Sequence, residues 1–180
     1  MKFQLILLIL ILCSCVSTKK LEKLGPNEES YSDFENLIYS NCPNYLDNSC
    51  DYRFNLVDQL RLEVFSKDTL PNWNHLLVEI RKNKKSLSIN VIDGDRLVEN
   101  FELKGKWKND SFYVRRFIRP IGIPLLFFIY YEKKLILKFL EDELLVINGR
   151  FEAIIVLFIS GGIDPYSSMK YERTSCFSTE

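Results

Sequence analysis

From residue 76 onward, apolar and polar residues alternate along the chain with a period of two. The clearest stretch is 101–107, where Glu102, Lys104 and Lys106 separate apolar or small residues. Successive side chains of a strand point to opposite faces, so this pattern predicts half-buried antiparallel strands. Nine strands are predicted, at residues 76–81, 86–91, 101–107, 111–118, 125–131, 135–140, 144–147, 151–159 and 168–174.

Turn-forming pairs separate these strands, at Asp93 with Gly94, Asn109 with Asp110, Glu141 with Asp142, and Asn148 with Gly149. Asp-Gly and Asn-Gly favour tight hairpins because both central residues of a type I′ turn need positive φ. A meander of short strands must close or fold onto itself to cover its edges. The predicted fold is α+β and mainly β. It has about eight or nine antiparallel strands in a small barrel or sandwich, preceded by one or two short helices.

Helical spacing appears only before residue 66. Ser32 and Glu35 have the spacing of a capping box, and apolar residues follow at helical intervals, which predicts a helix over 31–39. The stretch 54–65 fits one helical face but also alternates as a strand does, and we favour the helix.

Residues 121–131 carry no charge and no alternation, and 153–159 are similar. One interpretation is a central strand covered on both faces, with Trp107 and Phe112 among its neighbours in a packed core. The other is an apolar cavity, or an exposed patch that contacts a membrane or partner. Of the two, we predict the packed core.

The first residues follow a different pattern, since Lys2 precedes eight consecutive aliphatic residues at 5–12. This is the charged and apolar order of a secretion signal, and the run is shorter than the roughly 20 residues of a membrane-spanning helix. Leu12, Cys13, Ser14 and Cys15 resemble the lipobox of bacterial lipoproteins, with Cys15 as the modified cysteine. Cys13 does not fit, because Leu12 would precede it where that family has a small residue.

The resemblance implies that residues 1–14 are removed and that lipid on Cys15 attaches the chain permanently to a membrane. The expected location is the cell envelope, and in a Gram-negative host the outer membrane facing the periplasm. We divide the mature chain into a lipidated, flexible tether at 15–27 and one β-rich domain at 28–180. The domain's helical part is predicted at about 28–66 and its β part at about 76–176.

Loss of Lys2 leaves 23 basic against 24 acidic residues, so no net field favours nucleic acid, and none is predicted as a partner. The basic clusters at 81–85 and at Arg115, Arg116 and Arg119 are interpreted as solvated faces.

Cys42, Cys50 and Cys176 remain after the anchor, and export permits disulfides. The turn-rich residues between Cys42 and Cys50 predict that these two are paired. Cys176 could be free or could compete for either of them.

The sequence predicts no catalytic residue, metal site or cofactor. His75 is the one histidine and has no nucleophile context, and Asp93-Gly94-Asp95 is only a fragment of a calcium loop. Gly105-Lys106-Trp107 resembles the Gly-x-Trp motif of lipocalin-like barrels, and this resemblance implies a cation over the tryptophan, with Arg173 the candidate.

The expected function is therefore that of a non-catalytic envelope module that binds a protein partner or an apolar small molecule. Two alternatives stay open. The chain could be an envelope enzyme, such as a hydrolase, with an unrecognised site, or a lipocalin-like carrier of an apolar ligand.

The lipobox assignment predicts that Cys15→Ala abolishes both lipid labelling and membrane retention, because the acylated thiol is lost. Cys13→Ala is the matched control and should retain both. Metabolic labelling with radioactive palmitate, followed by membrane fractionation, measures the two effects. Labelling that persists in the Cys15 variant would refute the assignment.

Overall fold

The computed structural model describes residues 18–25, 29–43, 55–62, 75–123, 127–156, 159–163 and 166–174. The described part of the chain contains two short helices, α1 (Thr18–Leu24) and α2 (Leu56–Leu60). Its strands are β1 (Asn36–Pro43), β2 (Leu76–Lys82), β3 (Ser86–Asp93), β4 (Arg96–Lys108), β5 (Ser111–Val114), β6 (Phe117–Ile123), β7 (Phe127–Phe139), β8 (Glu143–Val156), β9 (Ile159–Ile163) and β10 (Tyr166–Arg173). Neither helix is long and apolar enough to cross a bilayer.

The strands form a closed ring of antiparallel hydrogen-bonded pairs. Around the ring the order is β7, β5, β4, β3, β2, β1, β10 and β8, and β8 pairs back onto β7. Closure leaves no free edge within the ring. The prediction of a mainly antiparallel β fold is confirmed, and of the two architectures left open it is a barrel.

A four-stranded sheet continues beyond the ring. β7 and β8 pair along their whole length, from Phe127 with Val156 to Phe139 with Leu144. Only one half of this ladder belongs to the ring, where β5 and β10 flank it. The other half is flanked by β6 and β9. We call this second half the extension, residues 117–123, 127–133, 150–156 and 159–163.

Side chains fill the interior of the ring, and the end near Trp107 is closed by aromatic rings. Trp107 packs against Phe34, Phe112 and Phe139, with ring centroids 5.2 to 5.9 Å away. A Cβ at Gly105 would lie 2.7 Å from the Phe112 ring, so glycine is what lets this ring pack. The barrel core is therefore a packed aromatic and aliphatic cluster.

Lys82 is the cation over Trp107, with its Nζ 4.9 Å from the ring centroid. Arg173, proposed above for that place, instead donates to the Tyr31 hydroxyl and to the Glu141 carbonyl, each at 3.2 Å. The covering cation thus comes from the second strand and not from the last.

Helix α2 closes the opposite end of the ring. Its residues Leu56, Val57 and Leu60 are fully buried in the core. Four strands spread around the ring hold α2. Val57 N donates to Asn41 Oδ1 on β1 at 3.0 Å, and Asn148 Nδ2 on β8 donates to Gln59 Oε1 at 2.9 Å. Arg61 forms an ion pair with Glu99 on β4 and accepts a hydrogen bond at its carbonyl oxygen from Lys133 on β7. The helix expected within 54–65 is present, although it has only five residues.

The Lys133 side chain, which points into the barrel from β7, holds the C-terminal end of α2. Its Nζ donates to the carbonyl oxygens of Asp58 at 3.2 Å and Arg61 at 2.5 Å, and the residue is only 5% exposed. Burial, and secondarily the charge of Arg150, lower the pKa of Lys133 to about 7, against the opposing effect of Asp58. A neutral amine has two N–H donors, which matches the two carbonyl acceptors.

The helix predicted over 31–39 is wrong. Residues from Asn36 form β1, in which Leu37, Tyr39 and Asn41 are buried. The Ser32 hydroxyl donates to Asp110 and does not cap a helix. Pairing of β1 with both β2 and β10 completes the ring, and this tertiary gain overrides the local capping pattern.

Two of the predicted connections are also wrong. Asn148 and Gly149 lie inside β8, and residues 132–134 lie inside β7. β7 and β10 pair with Asn148 and Gly149, and β6 and β8 pair with Glu132 and Lys133, which outweighs the local turn preference. In addition, residues 18–24 form α1 where the sequence analysis placed a flexible tether, because Leu21 is buried against the barrel.

The uncharged stretch 121–131 departs from the doubly covered core strand that was predicted. Ile129 and Tyr130 are only half buried, and Tyr131 is buried. Trp107 and Phe112 pack instead with the ring half of β7, at Leu137 and Phe139. The side chains of residues 123–128 lie outside the described part of the structure.

The buried lysine makes stability depend on pH. The unfolded chain keeps this proton up to the ordinary pKa of 10.5, whereas the folded protein releases it near 7. Between these values the unfolded state binds more protons, so the free energy of unfolding rises with pH, by at most about 1.4 kcal/mol per pH unit. Lys133→Met should remove this rise in urea unfolding measured between about pH 7 and about pH 9.

Lys106→Met is the matched control, because Lys106 is exposed and should leave the pH dependence unchanged. An undiminished rise in the Lys133 variant would show that this amine is not the group responsible.

Candidate functional site

A groove runs along the outside of the barrel between α1 and the wall made by β4, β5 and β7. Its volume is about 670 Å³. We call it the cationic groove, because seven cations line it: Lys85, Lys104, Lys106, Lys108, Arg115, Arg116 and Lys134. Glu22 and Glu102 are the acidic side chains among its lining residues.

Helix α1 forms one wall because Leu21 anchors it. This side chain is fully buried against Ile136, Leu145 and Ile147 on the outer face of β7 and β8. The helix is also held by Lys20, whose Nζ lies 3.9 Å from the centre of the Tyr166 ring. An outward apolar patch on the barrel thus binds a short helix that would be only marginally stable in isolation.

Glu22 ties α1 across the groove to the barrel. It accepts from the Tyr113 hydroxyl at 2.9 Å and pairs with Lys108 at 3.2 Å. These two partners hold the pKa of Glu22 below its usual range. Burial and the neighbouring Glu22 raise the pKa of Tyr113 to about 12.

The cations of β4 point outward because the alternate residues of that strand fill the barrel. Leu103 and Trp107 face the core, so Lys104 and Lys106 face the groove. They, Lys85 and Arg115 are exposed and form no ion pair with any described residue. Their charges are therefore available to an incoming anion.

A buried carboxylate, Glu132, lies beside the end of the groove that Arg116 and Lys134 line. Glu132 is 0% exposed; its Oε2 accepts from Arg116 Nη2 at 2.8 Å, and its Oε1 lies 2.7 Å from Arg116 Nε in an ion pair. Lys134 Nζ lies 3.4 Å from Glu132 Oε1, and the Tyr130 hydroxyl accepts from Arg116 and donates to Glu132. Burial and the Glu132 charge raise the pKa of Tyr130. This network fixes the positions of Arg116 and Lys134.

The arrangement is suited to holding anions by charge. Arginine and lysine are the side chains that bind phosphate and carboxylate groups, and several of them along one groove can contact an extended anion. His75 immediately precedes β2 and is not among the groove residues. In the described ranges, no three residues among His, Cys, Asp and Glu are grouped as metal ligands would be.

The site residues predicted from sequence fall partly outside the described structure. Cys15 and Cys50 lie outside it. Cys42 lies near the end of β1 and is disulfide-bonded, with its partner outside the described residues, so pairing with Cys50 stays a prediction. Asp93 and Arg96 are backbone partners across a tight turn in which Gly94 has φ 57°. The carboxylates of Asp93 and Asp95 therefore belong to a hairpin.

Sequence reasoning missed the cationic groove. It interpreted the basic clusters as separate solvated faces, whereas the fold brings Lys85, Arg115 and Arg116 beside the cations of β4. The signal that was available is the stripe Lys104, Lys106 and Lys108, which occupies the last three outward positions of β4.

Comparisons with known proteins give no relative. No protein-family model, no curated protein and no solved structure matches the chain.

Proposed function

We propose that the chain is a cell-envelope lipoprotein whose barrel is a non-catalytic binding module for anionic groups. Lipid on Cys15 holds the module on a membrane, as the lipobox resemblance implies. The observation that carries the binding role is the cationic groove, where seven cations face two carboxylates. Its ligand would present phosphate or carboxylate groups along an extended surface.

The groove and the anchor are close in sequence. Cys15 precedes Thr18 by three residues, and Thr18 lines the groove. The tether therefore supports a placement of the groove near the membrane surface, where lipid phosphates and charged envelope polymers are concentrated.

Binding on the outer wall agrees with the way the barrel is filled. Aromatic rings around Trp107 close one end of the ring and α2 closes the other, while the core cluster occupies the space between. A lipocalin-like ligand would need that space.

The electrostatics also favour binding over catalysis. Glu132, the buried carboxylate nearest the groove, forms ion pairs with Arg116 and Lys134, so its negative charge is already engaged. Apart from Glu102, the exposed charged groups of the groove are cations, which attract and position an anion.

Reversing two groove charges tests the proposal, with inorganic pyrophosphate as the probe and the full-length protein in detergent. The double variant Lys104→Glu, Lys106→Glu should weaken binding on the order of tenfold or more, because each change removes an attraction and adds a repulsion. Added salt should weaken binding to the unmodified protein. Isothermal titration calorimetry measures both effects.

Lys84→Glu is the matched control, because Lys84 is an exposed lysine of the β2–β3 turn that does not line the groove. Equal losses in the control and in the double variant would contradict a specific groove. If the double variant alone loses binding, mass spectrometry of molecules that co-purify with the unmodified protein, but not with the double variant, identifies the natural ligand.

A further inference from the structure

Helix α1 carries an anionic side chain into the cationic groove. The Glu22 carboxylate lies 3.2 Å from Lys108 Nζ and accepts a hydrogen bond from the Tyr113 hydroxyl at 2.9 Å. All three residues line the groove. A cation beside a hydroxyl donor is the contact that a phosphate or carboxylate group of a ligand would use. In this structure Glu22 therefore takes the place of a ligand anion.

We propose that Lys108 and Tyr113 form an anion subsite of the groove for which Glu22 competes with the ligand, so that an anion with several charged groups releases α1 from the barrel when it binds. The inference rests on the proposed function, because the competing ligand is the anion assigned to the groove. It adds a subsite and the control of that subsite by α1.

Neighbouring cations lead an anion toward this subsite. Lys104, Lys106 and Lys108 line the groove from one face of β4, and alternate residues of a strand lie about 7 Å apart. Lys104 and Lys106 form no ion pair with any described residue, whereas Lys108 pairs with Glu22. An extended anion that binds the first two lysines therefore places its next charged group at Lys108.

Glu22 and the ligand would carry the same charge at the same position. The hydrogen bond from Tyr113, and secondarily that from Lys108, hold the pKa of Glu22 below its usual range, so Glu22 is a carboxylate at neutral pH. The Tyr113 hydroxyl keeps its donor proton, because burial and the hydrogen bond to Glu22 raise its pKa to about 12. Two anions cannot share this donor and Lys108 without repulsion, so occupancy by one disfavours the other.

The docking of α1 is limited enough for this competition to matter. α1 has seven residues, of which Leu21 is the buried one, and so short a helix is only marginally stable without its contacts. The Glu22 and Lys108 side chains are 36% and 52% exposed, so a ligand can reach their ion pair from solvent. Loss of the Glu22 contacts leaves α1 held by Leu21 and by Lys20 over the Tyr166 ring.

Ligand binding and release of α1 are linked reciprocally. If the anion binds more tightly when α1 is released, docked α1 weakens anion binding by the same factor. α1 also lies between Cys15 and the barrel in sequence. Seven residues span about 10 Å as a helix and at most about 24 Å when extended. Under the proposed function, release therefore also lengthens the link between the barrel and its lipid.

Removing the internal competitor tests the proposal in the full-length protein in detergent, with inorganic tripolyphosphate as the probe. Glu22→Gln keeps the size of the side chain but removes its charge. It should tighten tripolyphosphate binding about twofold to fivefold in isothermal titration calorimetry, the range expected for loss of one partly exposed ion pair. Leu21→Ala removes the buried anchor of α1 but leaves every charge of the groove in place, and it should also tighten binding.

Hydrogen exchange of the peptide 18–25 measures the release itself. Tripolyphosphate should speed exchange of its amides in the unmodified protein, and Glu22→Gln and Leu21→Ala should speed it without ligand. Glu102→Gln is the matched control, because Glu102 is an exposed carboxylate of the groove that belongs to β4. This variant should leave the exchange of α1 unchanged without ligand, and tripolyphosphate should still speed it.

Two results would overturn the competition and leave the proposed function standing. One is exchange of α1 that is unchanged or slower when tripolyphosphate is bound. The other is equal affinity of the unmodified protein and of the Glu22→Gln and Leu21→Ala variants. Absence of binding to all three proteins would refute both proposals, whereas binding to the two variants alone would support both.

Discussion

β7 and β8 pair over thirteen consecutive residues, and both the ring and the extension are built on that ladder. At one end it closes the barrel, since without it the strands would form an open sheet with β6 and β9 at the edges. That half buries Leu135, Leu137 and Phe139 on β7 and Leu144 and Val146 on β8. Burial of such side chains at roughly 1.5 to 3 kcal/mol each makes this the stabilising half of the ladder.

The ladder also positions the chemistry. Residues of β7 alternate between the interior and the outer wall, so Lys133 points inward to the end of α2 while Glu132 and Lys134 point toward the cationic groove. Beyond Tyr131 the same strand carries no charge. β7 therefore contributes in turn to the barrel core, the cationic groove, the contact with α2 and the extension.

Local patterns predicted those parts of the fold that depend on local geometry. Alternation located β4, and Asn109 with Asp110, both at positive φ, forms the expected tight turn. Local patterns failed where pairing across the ring prevailed. Ser32 and Glu35 have a capping spacing, yet the following residues complete the ring as β1. Of the groove, only the lysine stripe of β4 could be predicted. The other cations lie just before β3, just after β5 and on β7, and only the fold brings them together.

The continuity of β8 through Asn148 and Gly149 is the central claim, because a turn at this point would leave no extension. Amide hydrogen exchange of the full-length protein tests it most directly. In a continuous strand paired on both sides, the amides of Asn148, Gly149 and Arg150 should exchange as slowly as that of Val146. Exchange at the rate of an unprotected turn, with slow exchange only on either side, would contradict the account.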